Sequence, residues 1–497
     1  MSKNHSTRNF KELFLKERTI MPNCRILCIM TLLILWILVP GSVLGQEKPA
    51  TAFIHANLIP MTSETVLRDQ TVVVQGKQII DVGPGNQTVV PQNSRVIDCS
   101  DKFLMPGLAD MHMHLRYNWM SDAWPVSPLK LYLANGVTTI RCFGPLGKSG
   151  MYALKWRDQV EKGFLIGPRI ITCGPILWGY LKNPENAVIK QKYQRFDFIK
   201  PYSYLTREEY HIVLSTAKKL DLYVAGHIPF QVGLDGILAE GMHEIAHVEE
   251  LLWEFINLDR DQYFTNKEMW MASVIRTAFG SFTPYLELDA KVREQTFDEM
   301  IAPTVSKLKE RPITVCTTLV VDDVIVQKLF EPEKFIEKPE NQYLPNQYME
   351  RFRKGKEKHQ MQFKGGEAFA PLKYILDKTL LVALKEARVP LVLSTDAGTG
   401  GMGIVPGFSL HDELEILVEN GFTPYEAIAS GTTVASKVVK RMNGQDNFGV
   451  ILPGKRADLI LLKQNPLEDV ANTRKISGVM AAGRWYDRKA LAAMIAQ

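Results

Sequence analysis

The stretch "FLMPGLADMHMH", residues 103–114, places His112 and His114 two positions apart at the end of an apolar run. Alternate residues of a β-strand point to the same face of its sheet, so both imidazoles can face one point. The pair predicts either a metal site or two packed core histidines, and the rest of the chain decides between them.

The middle of the chain alternates apolar, strand-like runs with amphipathic segments. After residues 103–114, further strands are predicted at 136–144, 168–174, 196–202, 222–228, 243–249, 312–320 and 389–398. Eight strands that alternate with helices predict an α/β fold, a parallel (β/α)8 TIM barrel. Short β-like runs also occur on both sides of this region, and they predict a small β-sandwich domain formed from both ends of the mature chain.

These patterns divide the chain into four predicted segments. They are a signal peptide at 1–45, sandwich strands at 46–104, the barrel at 105–440 and further sandwich strands at 441–497. Two stretches exceed the barrel pattern, namely a helical insertion at 251–310 and a polar, aromatic segment at 321–375. Because long connections often act as lids, the second stretch is predicted to cover the barrel mouth.

The N-terminal region has the pattern of a secretory signal peptide. Arg25 precedes an apolar core from Ile26 to Val39, and small residues follow before Gln46. Such a segment predicts an exported protein, periplasmic or secreted, with Met21 as an alternative start. An uncleaved segment that anchors the protein to a membrane is the alternative, although the apolar core is short for a span of about 20 residues.

Composition narrows the function. The net charge of +5 is mild for 497 residues, and no basic stripe with interleaved aromatic residues is present. Nucleic acid is therefore not an expected partner. The cysteines beyond the signal region, Cys99, Cys142, Cys173 and Cys316, lack metal-binding spacing and are predicted to be buried thiols.

Ionisable side chains recur at the carboxyl ends of the predicted strands, where a parallel barrel carries its active site. They are His112 and His114 on strand one, Lys200 on strand four, His227 on strand five, His247 on strand six and Asp396 on strand eight. Lys190 and Lys192 lie nearby, but Lys200 follows a strand and precedes a helix start. Taken singly, each residue has an ordinary structural explanation. Together they predict a site for zinc or a similar divalent ion.

This six-residue pattern resembles that of the metal-dependent amidohydrolase superfamily, of which "GKRADLILL" at 454–462 is also typical. "GVTTIRCFGP", "FSLHDELEILVENGFTPYEAIASGTTVASKVV" and "GVILPGKRADLILLKQNPLEDV" resemble its imidazolonepropionase-related, prolidase-like branch. The resemblance covers roughly residues 51–490. It implies a binuclear centre of two divalent ions, with zinc expected, bridged by a carboxylated Lys200.

In that family pattern, His112, His114, Lys200 and Asp396 bind the more buried ion, and Lys200, His227 and His247 bind the other. A metal-activated hydroxide attacks the substrate carbonyl. Asp396 acts as the catalytic base and acid, accepting the proton of the water and returning it to the leaving amine. Asp110 is expected to orient the strand-one imidazoles.

Three further residues are candidate substrate contacts. Arg141 could bind a substrate carboxylate or form a salt bridge with a neighbouring loop, and Tyr202 follows Lys200 closely. His411 could contact substrate or serve at a helix terminus. Dipeptide-hydrolysing relatives often carry a tyrosine soon after the strand-five histidine, where this chain has Phe230. This difference weakens the interpretation of the protein as a dipeptidase.

The sequence thus predicts an exported, metal-dependent amidohydrolase that cleaves a C–N amide bond in a dipeptide or N-acyl amino acid. Hydrolysis of a cyclic amide, lactone or ester at the same site is an alternative. A catalytically inactive exported binding barrel is an alternative from another class. The expected partner is a small-molecule substrate. After signal cleavage, the protein is not expected to stay inserted in a membrane. The sequence leaves open whether it forms a homo-oligomer.

Overall fold

The computed structural model describes residues 49–146, 150–311, 313–362, 367–398, 402–445 and 447–496. The predicted signal peptide and Met21 lie outside the described residues. Within these ranges, no helix is both long enough and apolar enough to span a membrane.

A mixed sheet combines strands from both ends of the described chain. Its N-terminal strands are β1 (Thr51–Leu58), β2 (Leu67–Gln75), β3 (Gln78–Pro84), β4 (Arg95–Asp98) and β5 (Phe103–Pro106), and its C-terminal strands are β14 (Leu459–Leu462), β15 (Ile476–Ala481) and β16 (Arg484–Asp487). The order is β16-β15-β14-β5-β1-β2-β3, and β4 pairs with β1. β14 lies antiparallel to β5. The two ends of the chain therefore fold against each other, and the sandwich stays a prediction.

The run at residues 103–114 forms two strands rather than the single strand that the sequence predicts. β5 ends at Pro106 in the mixed sheet, and β6 (Leu108–Met113) begins a separate parallel sheet. Gly107 lies at the break, where a Cβ atom would come within 2.1 Å of the Thr138 hydroxyl oxygen. Its amide donates to the Asp458 carbonyl. Only glycine fits this close approach, and the apolar pattern alone did not reveal the change of sheet.

Eight parallel strands follow the mixed sheet's N-terminal part. They are β6 (Leu108–Met113), β7 (Val137–Cys142), β8 (Arg169–Thr172), β9 (Phe198–Ile199), β10 (Tyr223–Gly226), β11 (Glu244–Ile245), β12 (Thr314–Cys316) and β13 (Leu391–Val392). β6 to β8 form one sheet and β9 to β13 another, so the protein is an α/β protein with parallel sheets. Parallel bridges also join Cys173 to Phe198 and Met113 to Ala397, on either side of the three-stranded sheet.

Side chains from all eight strand regions share one buried apolar cluster. Its members include Ala109, Met111, Phe143, Ile171, Cys173, Phe198, Tyr223, Ala225, Ala246, Cys316 and Val392. Several of these residues are two positions apart, as alternation along a strand requires. The four cysteines of the described chain are buried and free, which confirms the prediction for the thiols.

Helices connect and cover the parallel strands. They are α1 (Pro128–Ala134), α2 (Met151–Lys162), α3 (Pro184–Tyr193), α4 (Arg207–Lys219), α5 (Gly233–Glu240), α6 (Lys267–Leu286), α7 (Ala290–Glu310), α8 (Val320–Phe330), α9 (Pro332–Glu337), α10 (Asn346–Gln362), α11 (Phe369–Glu386), α12 (Phe408–Glu419), α13 (Pro424–Ser430), α14 (Thr433–Asn443) and α15 (Arg488–Ile495). Short 3-10 helices lie at Tyr117–Met120, Val248–Glu254, Pro339–Tyr343 and Val470–Arg474. Thr206 caps α4 through a capping box with Glu209, which explains why this helix begins soon after Lys200.

Candidate metal centre

The six residues that the sequence selects lie at the carboxyl ends of five parallel strands and contact one another. The Lys200 Nζ lies 3.5 Å from the His112 Nε2. The ring centroids of His112 and His247 are 4.4 Å apart, and those of His227 and His247 are 5.1 Å apart. We call the cluster of His112, His114, Lys200, His227, His247 and Asp396 the candidate metal centre.

His112, His114 and Asp396 are close enough to share one ion. One ligand atom from each lies within 4.8 Å of the others. The Asp396 Oδ1 lies 3.4 Å from the His112 Nε2 and 3.2 Å from the His114 Nε2. Two imidazole nitrogens and a carboxylate oxygen form a donor set that suits zinc and similar ions.

The hydrogen bonds of His112 and His114 fix which ring nitrogen is available. The His112 Nδ1 lies 2.8 Å from the Ala246 carbonyl oxygen, and the His114 Nδ1 lies 2.8 Å from the Gly144 carbonyl oxygen. A carbonyl oxygen only accepts hydrogen bonds, so Nδ1 carries the proton in both rings. Each Nε2 then has a lone pair directed at the cluster. Burial, and next the nearby His247, hold the pKa of His112 well below its ordinary value.

His247 has the same arrangement. Its Nδ1 lies 3.0 Å from the Thr318 hydroxyl oxygen, and that hydroxyl donates to the Thr317 carbonyl. The Thr318 oxygen therefore accepts from His247, which leaves Nε2 as the ligand atom. Burial lowers the pKa of His247 to about 4, so the ring is neutral near neutral pH.

Glu250 holds His227 and is not among the residues that the sequence pattern selects. The Glu250 Oε1 lies 2.6 Å from the His227 Nδ1, and its other carboxylate oxygen accepts from the Ile228 amide. Ser203 also contacts the same imidazole nitrogen at 3.2 Å. Burial raises the pKa of Glu250 to about 7. A carboxylate that orients a metal-binding imidazole is common, and the "HVEE" sequence at 247–250 was the available signal.

Lys200 is buried among these imidazoles, with 1% of its surface exposed. Burial lowers its pKa, which favours the neutral amine. The alternatives Lys190 and Lys192 lie in the last turn of α3 rather than at a strand end. Of these three lysines, Lys200 is therefore the one that the structure brings to the cluster.

Asp396 adopts an unusual backbone conformation. Its φ angle is +56°, a region that few non-glycine residues occupy. Its amide donates to the His112 carbonyl oxygen at 2.7 Å. Burial is the largest single effect and opposes its charge, but His114, His247 and Lys200 together lower the carboxyl pKa. Backbone strain of this kind persists where surrounding contacts enforce it, often at functional sites.

Asp110 lies beneath the cluster and ties strand β6 to the segment after β13. One of its carboxylate oxygens accepts from the His112 and Thr395 amides, and the other accepts from the Thr395 and Tyr132 hydroxyls. The resemblance implies that Asp110 orients the strand-one imidazoles. These contacts place it where it can do so through the backbone of His112.

The three candidate substrate contacts lie in different surroundings. Arg141 is fully buried and forms a bidentate ion pair with Glu244, so the salt bridge replaces the carboxylate-binding interpretation. His411 is buried in α12, where its ring contacts the Thr473 hydroxyl and the Asn135 carbonyl. Both of its nitrogens are bonded within the protein, which favours a structural role.

Tyr202 lies beside the candidate metal centre. Its ring centroid is 4.0 Å from that of His227 and 4.2 Å from that of Trp178. It is partly buried, and its ring connects the cluster to an exposed tryptophan. Of the three candidate substrate contacts, Tyr202 therefore has the placement that a substrate contact requires.

Comparisons with known proteins match part of the chain to amidohydrolases. Residues 378–486 match the model of the amidohydrolase family. A dihydroorotase of Anaplasma phagocytophilum (strain HZ) is 35% identical over 112 residues, which are 22% of this chain and 24% of the relative. The chain thus spans about a quarter of the length of the curated relatives it matches first. The predicted resemblance to the amidohydrolase superfamily is thus confirmed, and the family match lies within residues 378–486.

Solved structures extend the likeness to most of the chain. A Xaa-Pro dipeptidase with bound methionine in the active site has a TM-score of 0.57 at 22% identity, covering 88% of this chain and 100% of that one. The ochratoxinase of A. niger has a TM-score of 0.60 at 17% identity, covering 89% and 96%. At these identities the likeness shows a shared fold.

The residues present fit a divalent ion. Each of the four imidazoles has its Nδ1 occupied by a protein group, and His112 and His114 direct Nε2 at a carboxylate. Several lone pairs that face one another in a buried space repel unless a cation lies between them. The candidate metal centre therefore has both the donor atoms and the electrostatics of a metal site.

Proposed function

We propose that the protein is a metal-dependent hydrolase of C–N amide bonds, acting on a dipeptide or an N-acyl amino acid. The observation that carries the proposal is the set of four imidazoles, each held by its Nδ1, around Lys200 and Asp396. The amidohydrolase-family match of residues 378–486 supports the reaction class.

We also propose that the parallel strands close into a (β/α)8 barrel. The two parallel sheets are joined by bridges at Cys173–Phe198 and Met113–Ala397, and all eight strand regions share one apolar cluster. In such a barrel, the carboxyl ends of the strands form the active-site mouth. The candidate metal centre lies at those ends.

Two sets of these residues would each hold one divalent ion, and we expect both ions to be zinc. His112, His114 and Asp396 would hold one ion, His227 and His247 would hold the other, and a carboxylated Lys200 would supply donor atoms to both. When bound, the ions supply Lewis acidity and lower the pKa of water. The imidazole Nδ1 partners keep each ring oriented while the Nε2 atoms bind.

Lys200 fits this role only as a carbamate, because an ammonium beside two cations is repelled and a neutral amine has a single lone pair, enough for one ion only. The neutral amine attacks carbon dioxide, forming an N–C bond, and the released proton leaves to solvent. The product carries one negative charge and two oxygen donors. Burial favours this step, since the lowered pKa of Lys200 supplies the neutral amine.

Asp396 moves the proton in the proposed reaction. Its Oδ1 faces two imidazole Nε2 atoms, and its lowered pKa keeps it ionised and ready to accept a proton from the attacking water. The same carboxyl then returns the proton to the leaving nitrogen as the C–N bond breaks. Tyr202, beside His227, contributes to the wall that the substrate contacts.

Metal analysis and a lysine variant test the centre. We expect about two zinc-like ions per purified chain, and a Lys200→Ala variant that has lost metal and hydrolysis together. A carbon-13 NMR carbamate signal should appear with labelled bicarbonate in the wild type and vanish in the variant. Lys190→Ala, which changes a lysine on α3, is the matched control. Full metal content and activity in Lys200→Ala would refute the carbamate assignment.

A substrate screen tests the reaction. Dipeptides and N-acyl amino acids should be hydrolysed faster than lactones and esters. A cyclic amide is the second candidate, favoured by the match to a dihydroorotase, and dihydroorotate therefore belongs in the screen. If the metal-loaded protein binds these compounds but cleaves none of them, the inactive binding barrel is the better description.

We further propose that the segment 321–375 covers the mouth. Lys373, on α11, lies 2.8 Å from Glu249 and 2.7 Å from both Asp322 and Asp377. Glu249 lies two residues after His247, so these ion pairs attach the segment beside the candidate metal centre.

Export rests on the predicted signal peptide alone, and N-terminal sequencing of the mature protein tests it.

A further inference from the structure

We propose that a groove between Trp178 and helix α6 binds a large apolar group of the substrate, with aromatic rings preferred. The proposal rests on the function proposed above and narrows its substrate class. The substrate would be a dipeptide or N-acyl amino acid that carries an aromatic side chain or acyl group next to the C–N bond that is cleaved.

The groove has a volume of about 360 Å³ and a largely apolar wall. Its lining includes Trp178, Tyr204, Met271, Ala272 and Ile275. Residues 268, 271, 272 and 275 follow helical spacing, so one face of α6 forms one wall. Trp178 is 39% exposed and Ile275 is 40% exposed, which leaves apolar surface that a ligand could bury.

Aromatic contacts connect this groove to the candidate metal centre. The Trp178 ring lies 4.2 Å from the Tyr202 ring, which lies 4.0 Å from the His227 ring, measured between centroids. Trp178 is thus two ring contacts away from a proposed metal ligand. A substrate whose scissile bond lies at the centre could extend along Tyr202 and reach Trp178.

Backbone hydrogen bonds hold Trp178 in register with Lys200. The Leu177 amide donates to the Lys200 carbonyl at 2.9 Å, and the Tyr202 amide donates to the Leu177 carbonyl at 3.0 Å. Gly179 follows with a φ of +105°, and a Cβ atom there would lie 2.2 Å from the Tyr204 carbonyl oxygen. The tryptophan is therefore placed by the strand-four segment and is preorganised before a ligand arrives.

The other wall is also fixed. Asn266 caps α6 by accepting from the Glu268 and Met269 amides. Trp270, on the first turn of the helix, is buried against Tyr204 and Phe230. This anchoring keeps the first turns of the helix beside Trp178.

The charged groups at the groove do not favour a ligand of either net charge. Lys267 and Glu268 both line it, and the Lys267 Nζ lies 5.2 Å from the Trp178 ring centroid. Because one positive and one negative group are present, neither sign of ligand is favoured overall. The apolar wall is what distinguishes ligands, and an aromatic ring that stacks on Trp178 gains binding energy beyond that of its burial.

Binding to the metal-loaded protein tests the groove separately from hydrolysis. Calorimetry would compare N-acetylphenylalanine and benzoylglycine with acetylglycine. We expect at least one aromatic compound to bind about tenfold or more tightly than acetylglycine, and Trp178→Ala to remove that advantage. Trp178→Phe should retain part of it. Equal binding of all three compounds by the wild type would overturn the proposal.

A matched pair of helix variants provides the second test. Ile275→Asp places a charge in the groove, whereas Met269→Asp makes the same change at a position of α6 that is 60% exposed and outside the lining. Only Ile275→Asp should reduce the aromatic preference. An unchanged preference in both Trp178→Ala and Ile275→Asp would refute the groove even if hydrolysis is found. Aromatic binding without hydrolysis would instead refute the proposed function and keep the groove.

Discussion

Two clusters of buried ionisable side chains lie among the same parallel strands, and they differ in how their charges are satisfied. In the arginine cluster, formed by Arg141, Glu244, Tyr223 and Cys316, the Arg141 guanidinium donates to both Glu244 oxygens and to the Met111 carbonyl. Tyr223 and Cys316 complete the contacts of Glu244. The charges of this cluster cancel within the protein.

The candidate metal centre has the opposite balance. Its imidazoles use Nδ1 for protein contacts and direct Nε2 lone pairs toward the interior of the cluster. The Phe143 ring contacts both clusters, stacking on His112 at 4.0 Å and lying 4.6 Å from the Arg141 guanidinium carbon. The arginine cluster and the candidate metal centre are thus similarly buried, but their polar atoms are arranged differently. A cluster whose polar atoms are paired internally stabilises the fold, whereas one whose donor atoms face one another has the form of a binding site.

The largest expected effect is the loss of activity on changing Asp396. Asp396→Asn keeps the shape but removes the charge that faces His112 and His114. We expect kcat/KM to fall about 10⁴-fold, because both the proton transfer and one metal ligand are lost. Steady-state kinetics with metal analysis of the same sample would check this. A decrease of less than tenfold would show that Asp396 does not take part in the reaction.

Arg141→Met should mainly affect stability. The variant leaves Glu244 buried without its partner, and we expect the free energy of unfolding to fall by about 3–5 kcal/mol. Denaturant unfolding measures the change, and the double variant Arg141→Met with Glu244→Gln should recover part of it. If Arg141 bound substrate instead, the variant would have a higher KM without a comparable loss of stability. That result would contradict the contrast drawn between the arginine cluster and the candidate metal centre.

Glu250→Gln should affect metal affinity. The change replaces the ionisable carboxyl group that contacts the His227 Nδ1 at 2.6 Å with a neutral amide. We expect the affinity for the ion that His227 would hold to fall about 10- to 100-fold. Competition with a metal chelator measures it. Glu254→Gln, which changes the Arg260 ion pair in the same region, is the control and should retain wild-type affinity.

His411 gives the smallest expected effect and extends the comparison to an imidazole outside both clusters. Burial, and next Arg474, lower its pKa from 6.5 to about 3. Below pH 6.5 the unfolded chain gains a proton that the folded chain does not, so this group reduces stability as pH falls towards 3.

We therefore expect the wild type to lose about 2 kcal/mol more than His411→Gln between pH 7.5 and pH 5, from about 1.4 kcal/mol per pKa unit. Urea unfolding at both pH values measures this difference. Parallel losses in the two proteins would show that His411 is not the titrating group.

The sequence was informative about the candidate metal centre because strand ends and residue types are local properties. His112, His114, Lys200, His227, His247 and Asp396 could be selected from apolar runs that end in ionisable residues. The partners of these residues could not. Glu250, Thr318 and the Ala246 carbonyl are set by how neighbouring strands align, and a single sequence carries no record of that alignment.

Two particular residues show where local patterns fail. Gly107 has the pattern of an ordinary glycine in a strand, yet the chain changes sheets there, and the Thr138 side chain leaves no room for a Cβ atom. Arg141 reads as a candidate anion ligand at a strand end, yet Glu244, more than one hundred residues away, neutralises it. In both cases the deciding contact comes from a distant part of the chain.

The sequence by itself determined the α/β class, the resemblance to the amidohydrolase superfamily and the residue types of the candidate metal centre, since these follow from periodicity and motif. The tertiary structure decided which imidazole nitrogens are available, that Arg141 is neutralised internally, and that Trp178 lies beside Tyr202 and α6. The physical reason is that hydrogen-bond direction and burial depend on three-dimensional neighbours, whereas periodicity depends only on the order of residues along the chain.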